Sequence, residues 1–225
     1  MARARTFAEL QAEARALTDT VGDDHVSDTQ LGVWLNQGIA ELWRKLVACD
    51  AGRYAIRDTL STTAGTQGYD VEDDFLAMLR VSRLDGTRRI PIARFNFQQA
   101  AYDSPDPRGG DLTRYTIIGQ GIEGDASQIY FDPDPGTNTY ETWYVQCPQL
   151  LSADDDVFDG VAGYEDWVVL YASLRIFIRQ QDPDQMGILA EMARIDASIV
   201  KSATHRDVGS APRIADVRQR SGRRY

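Results

Sequence analysis

Apolar positions recur at helical spacing near both ends of the chain and alternate in its middle. Phe7, Leu10, Ala14 and Leu17 share one face behind the capping-box pair Thr6 and Glu9. After a turn of Gly, Asp and His, Ser27 and Gln30 form a second such pair. Leu31, Trp34, Leu35, Gly38, Ile39, Leu42 and Leu46 then hold one face, with Glu41, Arg44 and Lys45 opposite. This is the clearest amphipathic helix of the sequence. Asp50-Ala51-Gly52 ends it.

The middle predicts strands. Residues 54–60 alternate, and Gly65 to Gly68 is a turn. Residues 81–84 and 87–92 flank Asp85-Gly86, a favoured hairpin pair. Residues 95–102 suggest a short helix, and the Pro, Gly and Asp of 103–110 a loop. Residues 113–118, 128–131 and 140–146 are the strongest strands. Helix returns over 164–180. Asp182, Pro183 and Gln185 then open a last helix reaching about Thr204. Its apolar residues Met186, Leu189, Met192, Ile195, Ile199 and Val200 span a wider arc than one core needs. The helix is either sandwiched in the fold or faces a neighbour. Arg175 and Asp196 break the apolar arcs of the last two helices. They either pair or each find solvent or a backbone partner, and their offset of about two helical turns disfavours a direct pair.

The fold class predicted is α+β: a bundle of about four helices with an inserted antiparallel β region and an extended C-terminal tail. The parts are residues 1–50, the first helices; 51–150, the β insertion; 151–205, the last helices; and 206–225, a basic arm.

Composition narrows the function. The chain has 225 residues and a net charge of −10. Residues 212–225 carry five arginines against Asp216, a local +4, which leaves −14 for the other 211 residues. An acidic body disfavours general nucleic-acid binding, which depends on neutralising phosphates. The most apolar run, Trp167 to Ile178, is broken by Arg175, so no membrane span is expected. Residues 1–10 lack the apolar stretch of a secretory signal, so synthesis in a cytoplasm is expected. Cys49 and Cys147 stand far apart without a nearby histidine. They read as free, partly buried thiols rather than a disulfide framework or zinc site.

Motifs with chemical potential fail on context. Gly119-Gln120-Gly121-Ile122-Glu123-Gly124 matches a dinucleotide fingerprint, but a strand follows where a helix must hold the pyrophosphate. Ser198-Ile199-Val200-Lys201 lacks the partner motifs of a penicillin-recognising enzyme. Asp132 to Gly136 starts like a calcium loop, but Trp143 stands where the twelfth-position glutamate belongs. Asp154-Asp155-Asp156 reads as a solvated loop. His25 and His205 lie in separate segments, and neither has a nucleophile nearby in a recognisable catalytic motif. No catalytic residue, metal site or cofactor is therefore expected. The basic arm is the most informative segment. Its arginine forks, with Ile214 and Val217 between them, suit a groove between acidic protein subunits better than duplex DNA.

The order of these features resembles the head-to-tail adaptor proteins of tailed bacteriophages. Asn36, Gly38, Glu41 and Leu42 follow that family's helix of the form Asn-x-Gly-x-x-Glu-Leu. Ala64-Gly65-Thr66-Gln67-Gly68-Tyr69 is similar to its aromatic-terminated turn. Tyr115 to Gly119, Ile129 to Pro135 and Tyr140 to Tyr144 follow like its paired strands. Tyr164 to Ser173 is similar to its main C-terminal helix, and Pro212-Arg213 opens the tail. The resemblance runs from about Ser27 to Arg213. It implies a structural virion protein of the neck, one subunit of a ring of usually twelve. It implies an arm that binds the portal protein, here through Arg213, Ile214, Val217, Arg218, Arg220, Arg223, Arg224 and Tyr225. It implies a tail or further neck protein on the other side, and a channel that DNA crosses without being read. The rival readings are another neck or tail component, a carboxylate-based cell-wall hydrolase, and a DNA-binding module using the arm.

Overall fold

The computed structural model describes residues 4–20, 26–96, 113–119, 127–158, 163–181 and 185–204, with side chains through Lys201 in the last stretch. Helix α1 (Phe7–Leu17) opens on a complete capping box. The Glu9 N–H donates to Thr6 Oγ1 at 3.2 Å, and the Thr6 N–H to the Glu9 carboxylate at 3.0 Å. The second predicted box is half formed. The Gln30 N–H donates to Ser27 Oγ at 3.2 Å and starts α2 (Asp28–Cys49), but the Gln30 side chain accepts from Arg179 instead. An arginine from another helix supplies a charged donor that outcompetes the local backbone N–H.

Helices α3 (Glu165–Gln180) and α4 (Gln185–Thr204) join α1 and α2 in one apolar cluster, and α3 touches all three others. Trp167, Leu35, Ile39, Leu42 and Ile176 are its large, almost fully enclosed members. The α2–α3 approach is set by Gly38. A Cβ there would lie 3.1 Å from the Tyr171 ring and 3.3 Å from Val168 Cγ1, so only glycine admits this spacing without a shift. The predicted helical cap at Asp182 and Pro183 lies outside the described residues.

Among the described residues, eight strands in two sheets lie between the helical segments. The first sheet runs β2 (Ala55–Ser61), β9 (Thr139–Gln146), β4 (Phe75–Asp85), β5 (Arg88–Pro91). The second runs β3 (Gly68–Asp70), β8 (Gln128–Asp132), β7 (Arg114–Ile118), β6 (Ala93–Arg94). A two-residue pair, β1 (Arg5–Thr6) with β10 (Val157–Phe158), ties the start of α1 to the segment before α3. Val81 and Tyr140 of the first sheet meet Tyr115, Ile129 and Phe131 of the second in a separate core. The Phe131 and Tyr140 rings stand 4.7 Å apart there. Trp43 of α2 connects the two cores: its indole N–H donates to the Gln146 carbonyl at 2.9 Å, and its ring meets Tyr54 edge-on at 4.9 Å.

The structure alters several expectations. The pairing of Asp85 with Arg88 puts Gly86 and Thr87 in the hairpin turn, one residue later than predicted, and Gly86 takes the positive φ of 57°. Strand β6 runs parallel to β7, where an antiparallel region was expected. Strands β3 and β6 have three and two residues, too short to show alternation. Of the predicted helix at 95–102 only Phe95 and Asn96 are described, and they are not helical; the expected loop at 103–110 lies outside the described residues. Arg175 and Asp196 do not pair. Arg175 donates to the Tyr171 hydroxyl at 2.6 Å and sits over that ring. Asp196 takes Lys45 of α2 at 2.6 Å, and the same ammonium lies 4.5 Å from the centre of the Trp167 ring.

Candidate functional site

The family-like motifs prove to be structural joints. Asn36 clamps the backbone of Leu151: its Nδ2 donates to the Leu151 carbonyl at 2.9 Å and its Oδ1 accepts the Leu151 N–H at 2.9 Å. Gly38 admits α3, Leu42 fills the core, and Glu41 pairs with Arg44 at 2.7 Å. In the turn after β2, the Tyr69 hydroxyl accepts the Thr63 N–H at 2.8 Å and shares its single proton between the Thr63 and Thr66 carbonyls. Gly65 has φ 87°, and its N–H donates to Asp134 at 2.6 Å.

These contacts also use up candidate chemistry. The second carboxylate oxygen of Asp134 accepts the Gly136 N–H at 2.8 Å, so the calcium-like segment is a braced turn. Asp156 accepts the N–H groups of Ala153 and Ser152, which hold its carboxyl below the usual carboxylate range. The dinucleotide-like segment lies outside the described residues after Gly119; the next described element is strand β8, antiparallel to β7 with Gln128 opposite Ile118. Ser198 and Lys201 both face outward on α4. Cys147 is partly enclosed, while Cys49 is exposed rather than partly buried, since it ends the last turn of α2. His25 and His205 lie outside the described residues.

The most enclosed carboxylate among the described residues is Glu141, 1% exposed on β9. Arg89 Nε donates to its Oε1 at 2.9 Å, the Trp143 indole N–H to the same oxygen at 3.1 Å, and Arg57 Nε lies 2.7 Å from Oε2. The Arg89 and Trp143 hydrogen bonds hold its carboxyl below the usual range. Three cationic or N–H groups on one anion stitch β2, β9 and β5 together. A carboxylate so paired is a poor proton donor at neutral pH. Its contribution to stability is present above the ordinary carboxylate pKa of about 4.3 and is lost as pH falls through the lowered folded value. Melting curves of the wild type and Glu141→Gln should therefore differ at pH 7 and converge towards pH 3. A gap that stays constant would assign the effect to packing.

On the opposite side of the same strand region, Tyr144 is pushed up to about 12, first by burial and then by Asp74, whose carboxylate accepts its hydroxyl at 3.2 Å. Among the described residues no group of three or more His, Cys, Asp and Glu side chains is arranged to hold a metal, and no helix is long and apolar enough to cross a membrane.

What remains is a set of surfaces suited to contact. A groove of about 580 Å³ runs between α1 and α2, with Phe7, Gly32 and Leu151 as its floor. The outer side of α4 exposes Met186 (71%), Leu189 (44%) and Val200 (54%). The eight arm residues named from the sequence, Arg213 to Tyr225, lie outside the described residues. Sequence reasoning named the arm by its charge and missed the groove, which exists only once α1 and α2 are packed.

A family model described as SU10 adaptor protein matches residues 5–218, spanning the helices, both sheets and the start of the arm. The chain belongs to the SU10 adaptor protein family. The adaptor is thus a structural phage protein of the kind its motif order resembles. No curated protein matches the adaptor. The family match extends from residue 5, ahead of the resemblance first seen at Ser27, so α1 is part of the shared fold.

Proposed function

We propose that this adaptor forms a ring, of twelve subunits by the family resemblance, that joins the portal of the capsid to the tail around a DNA channel. The observation that carries the reading is the family match over residues 5–218. The joints described above support it: the residues of the family motifs brace turns and helix contacts, as suits a scaffold. The arm, with Arg213, Arg218, Arg220, Arg223 and Arg224 as cations and Ile214, Val217 and Tyr225 as apolar anchors, is the portal-binding element. Its charge of +4 against a body of −14 favours a groove in an acidic protein partner. The acidic body lets DNA pass without adhering, because like charges repel. The helical ends, the β-rich middle and the arm then act as separate parts, at residues 1–50, 51–150, 151–205 and 206–225. The protein works in the virion neck, between capsid and tail.

The test is an electron micrograph of the full chain mixed with its cognate portal. A ring stacked on the portal is expected. Two folded partners that form no complex would move the chain to another neck or tail position.

A further inference from the structure

The outer arc of α4 can now be resolved residue by residue. Ile188, Met192, Ile195 and Ile199 face the core at 8% exposure or less. Met186, Leu189, Ala193, Ala197 and Val200 fall on a second stripe, and all five are exposed. The sequence alternative of a sandwiched helix is therefore excluded within the subunit's described residues. Three large apolar side chains around two alanines form a ridge that another helix pair can approach closely. From Met186 to Val200 it extends about 21 Å at 1.5 Å per residue.

The α1–α2 groove is its complement. Its apolar floor is walled by Ala8 and Ala12 of α1 and by Val33 of α2, which is 51% exposed. The two surfaces lie on opposite sides of the helical part. On α2, the groove residues Thr29, Gly32, Val33 and Asn36 occupy one side, and Lys45, which reaches α4 through Asp196, occupies the other. Their charges also match. The border of the α4 stripe carries Lys201 and Arg194, the latter paired with Glu191, and the groove rim carries Asp154 and Asp28, the latter paired with Arg15, which leaves the rim net negative. A ridge and a matching groove on opposite sides of one subunit make a head-to-tail contact, the kind that closes into a ring.

We infer that the outer stripe of α4 packs into the α1–α2 groove of the next copy of this chain. The inference rests on the ring reading and adds the surfaces that build the ring. The contact is heterologous: each subunit offers α4 to one neighbour and its groove to the other.

Cysteine crosslinking tests it on the full chain assembled with portal. In a background with Cys49→Ser and Cys147→Ser, Ala12→Cys and Ala193→Cys are combined in one chain and the thiols are oxidised. A covalent ladder of multimers is expected from the double variant and none beyond a dimer from either single variant. A ring seen by electron microscopy without a ladder overturns this inference and leaves the ring reading standing. No ring at all removes both. A crosslink confined to the monomer shows the stripe covered by its own chain and overturns the inference. Leu189→Asp provides a second readout. It sets an acidic charge against the acidic rim at an exposed site, so the monomer should melt as the wild type does while assembly falls at least tenfold. Unchanged assembly of Leu189→Asp overturns the inference.

Discussion

Trp167→Ala is expected to lower the melting temperature by about 6–20 °C. Trp167 is 2% exposed and stacks on Tyr171 at 5.6 Å between ring centres. It also receives Lys45 on its face, so α2, α3 and α4 all depend on this ring. Truncating a buried tryptophan costs about 3–5 kcal/mol, against a total stability of about 5–15 kcal/mol. In a chain of this size each kcal/mol moves the midpoint by about 2–4 °C. Trp167→Phe should cost much less. It keeps an aromatic face for Lys45, and it removes an indole N–H that finds no hydrogen-bond partner among the described residues. Equal losses in the two variants, read by thermal denaturation, would show that ring stacking contributes little.

Removing residues 212–225 is expected to abolish portal binding while leaving the subunit folded. The segment lies beyond α4 in sequence, and its five arginines with few apolar residues cannot build a core of their own. Its effect should therefore appear in binding and not in the melting temperature. Replacing Arg218, Arg220, Arg223 and Arg224 with alanine separates charge from length. Solvent-accessible ion pairs are worth about 0.2–1 kcal/mol each, so four give a loss of roughly fourfold to several hundredfold. Salt screens such pairs within about 8 Å at physiological ionic strength, so wild-type binding should weaken as salt is raised and the quadruple variant should respond less. Titration against purified portal at two salt concentrations checks both. Full-strength binding by the truncated chain would remove the arm from the portal interface.

The helices were legible because their signal is local. A residue's place on an α2 face depends on neighbours three and four positions away, and the run from Leu31 to Leu46 shows that period directly. The strands of the hairpin and of residues 113–146 were legible from alternation, whereas β3 and β6 carried too few residues to alternate. The arm was legible through charge alone. The motifs were recognisable, but their work was not. Nothing local says that Asn36 clamps a backbone 115 residues away or that Gly38 is where α3 comes closest. The half-formed second capping box has the same cause, since the donor that captured the Gln30 side chain lies 149 residues away.

The amino-acid sequence by itself determined the α+β class, the order of elements, the acidic body with its basic arm, and the family. The class, the element order and the charge distribution follow from composition and short-range periodicity, and the family from the order of its motifs. Tertiary structure alone decided that the β residues divide into two sheets with β9 held between β2 and β4. It decided that Glu141 becomes an enclosed anion between arginines, that Asp196 takes Lys45 rather than Arg175, and that α1 and α2 leave a groove opposite the bare side of α4. Each of these depends on which distant segments meet. Ala55 opposite Val145 closes a loop of some 90 residues, and such a pairing is chosen by the packing of the whole chain rather than by any window of it.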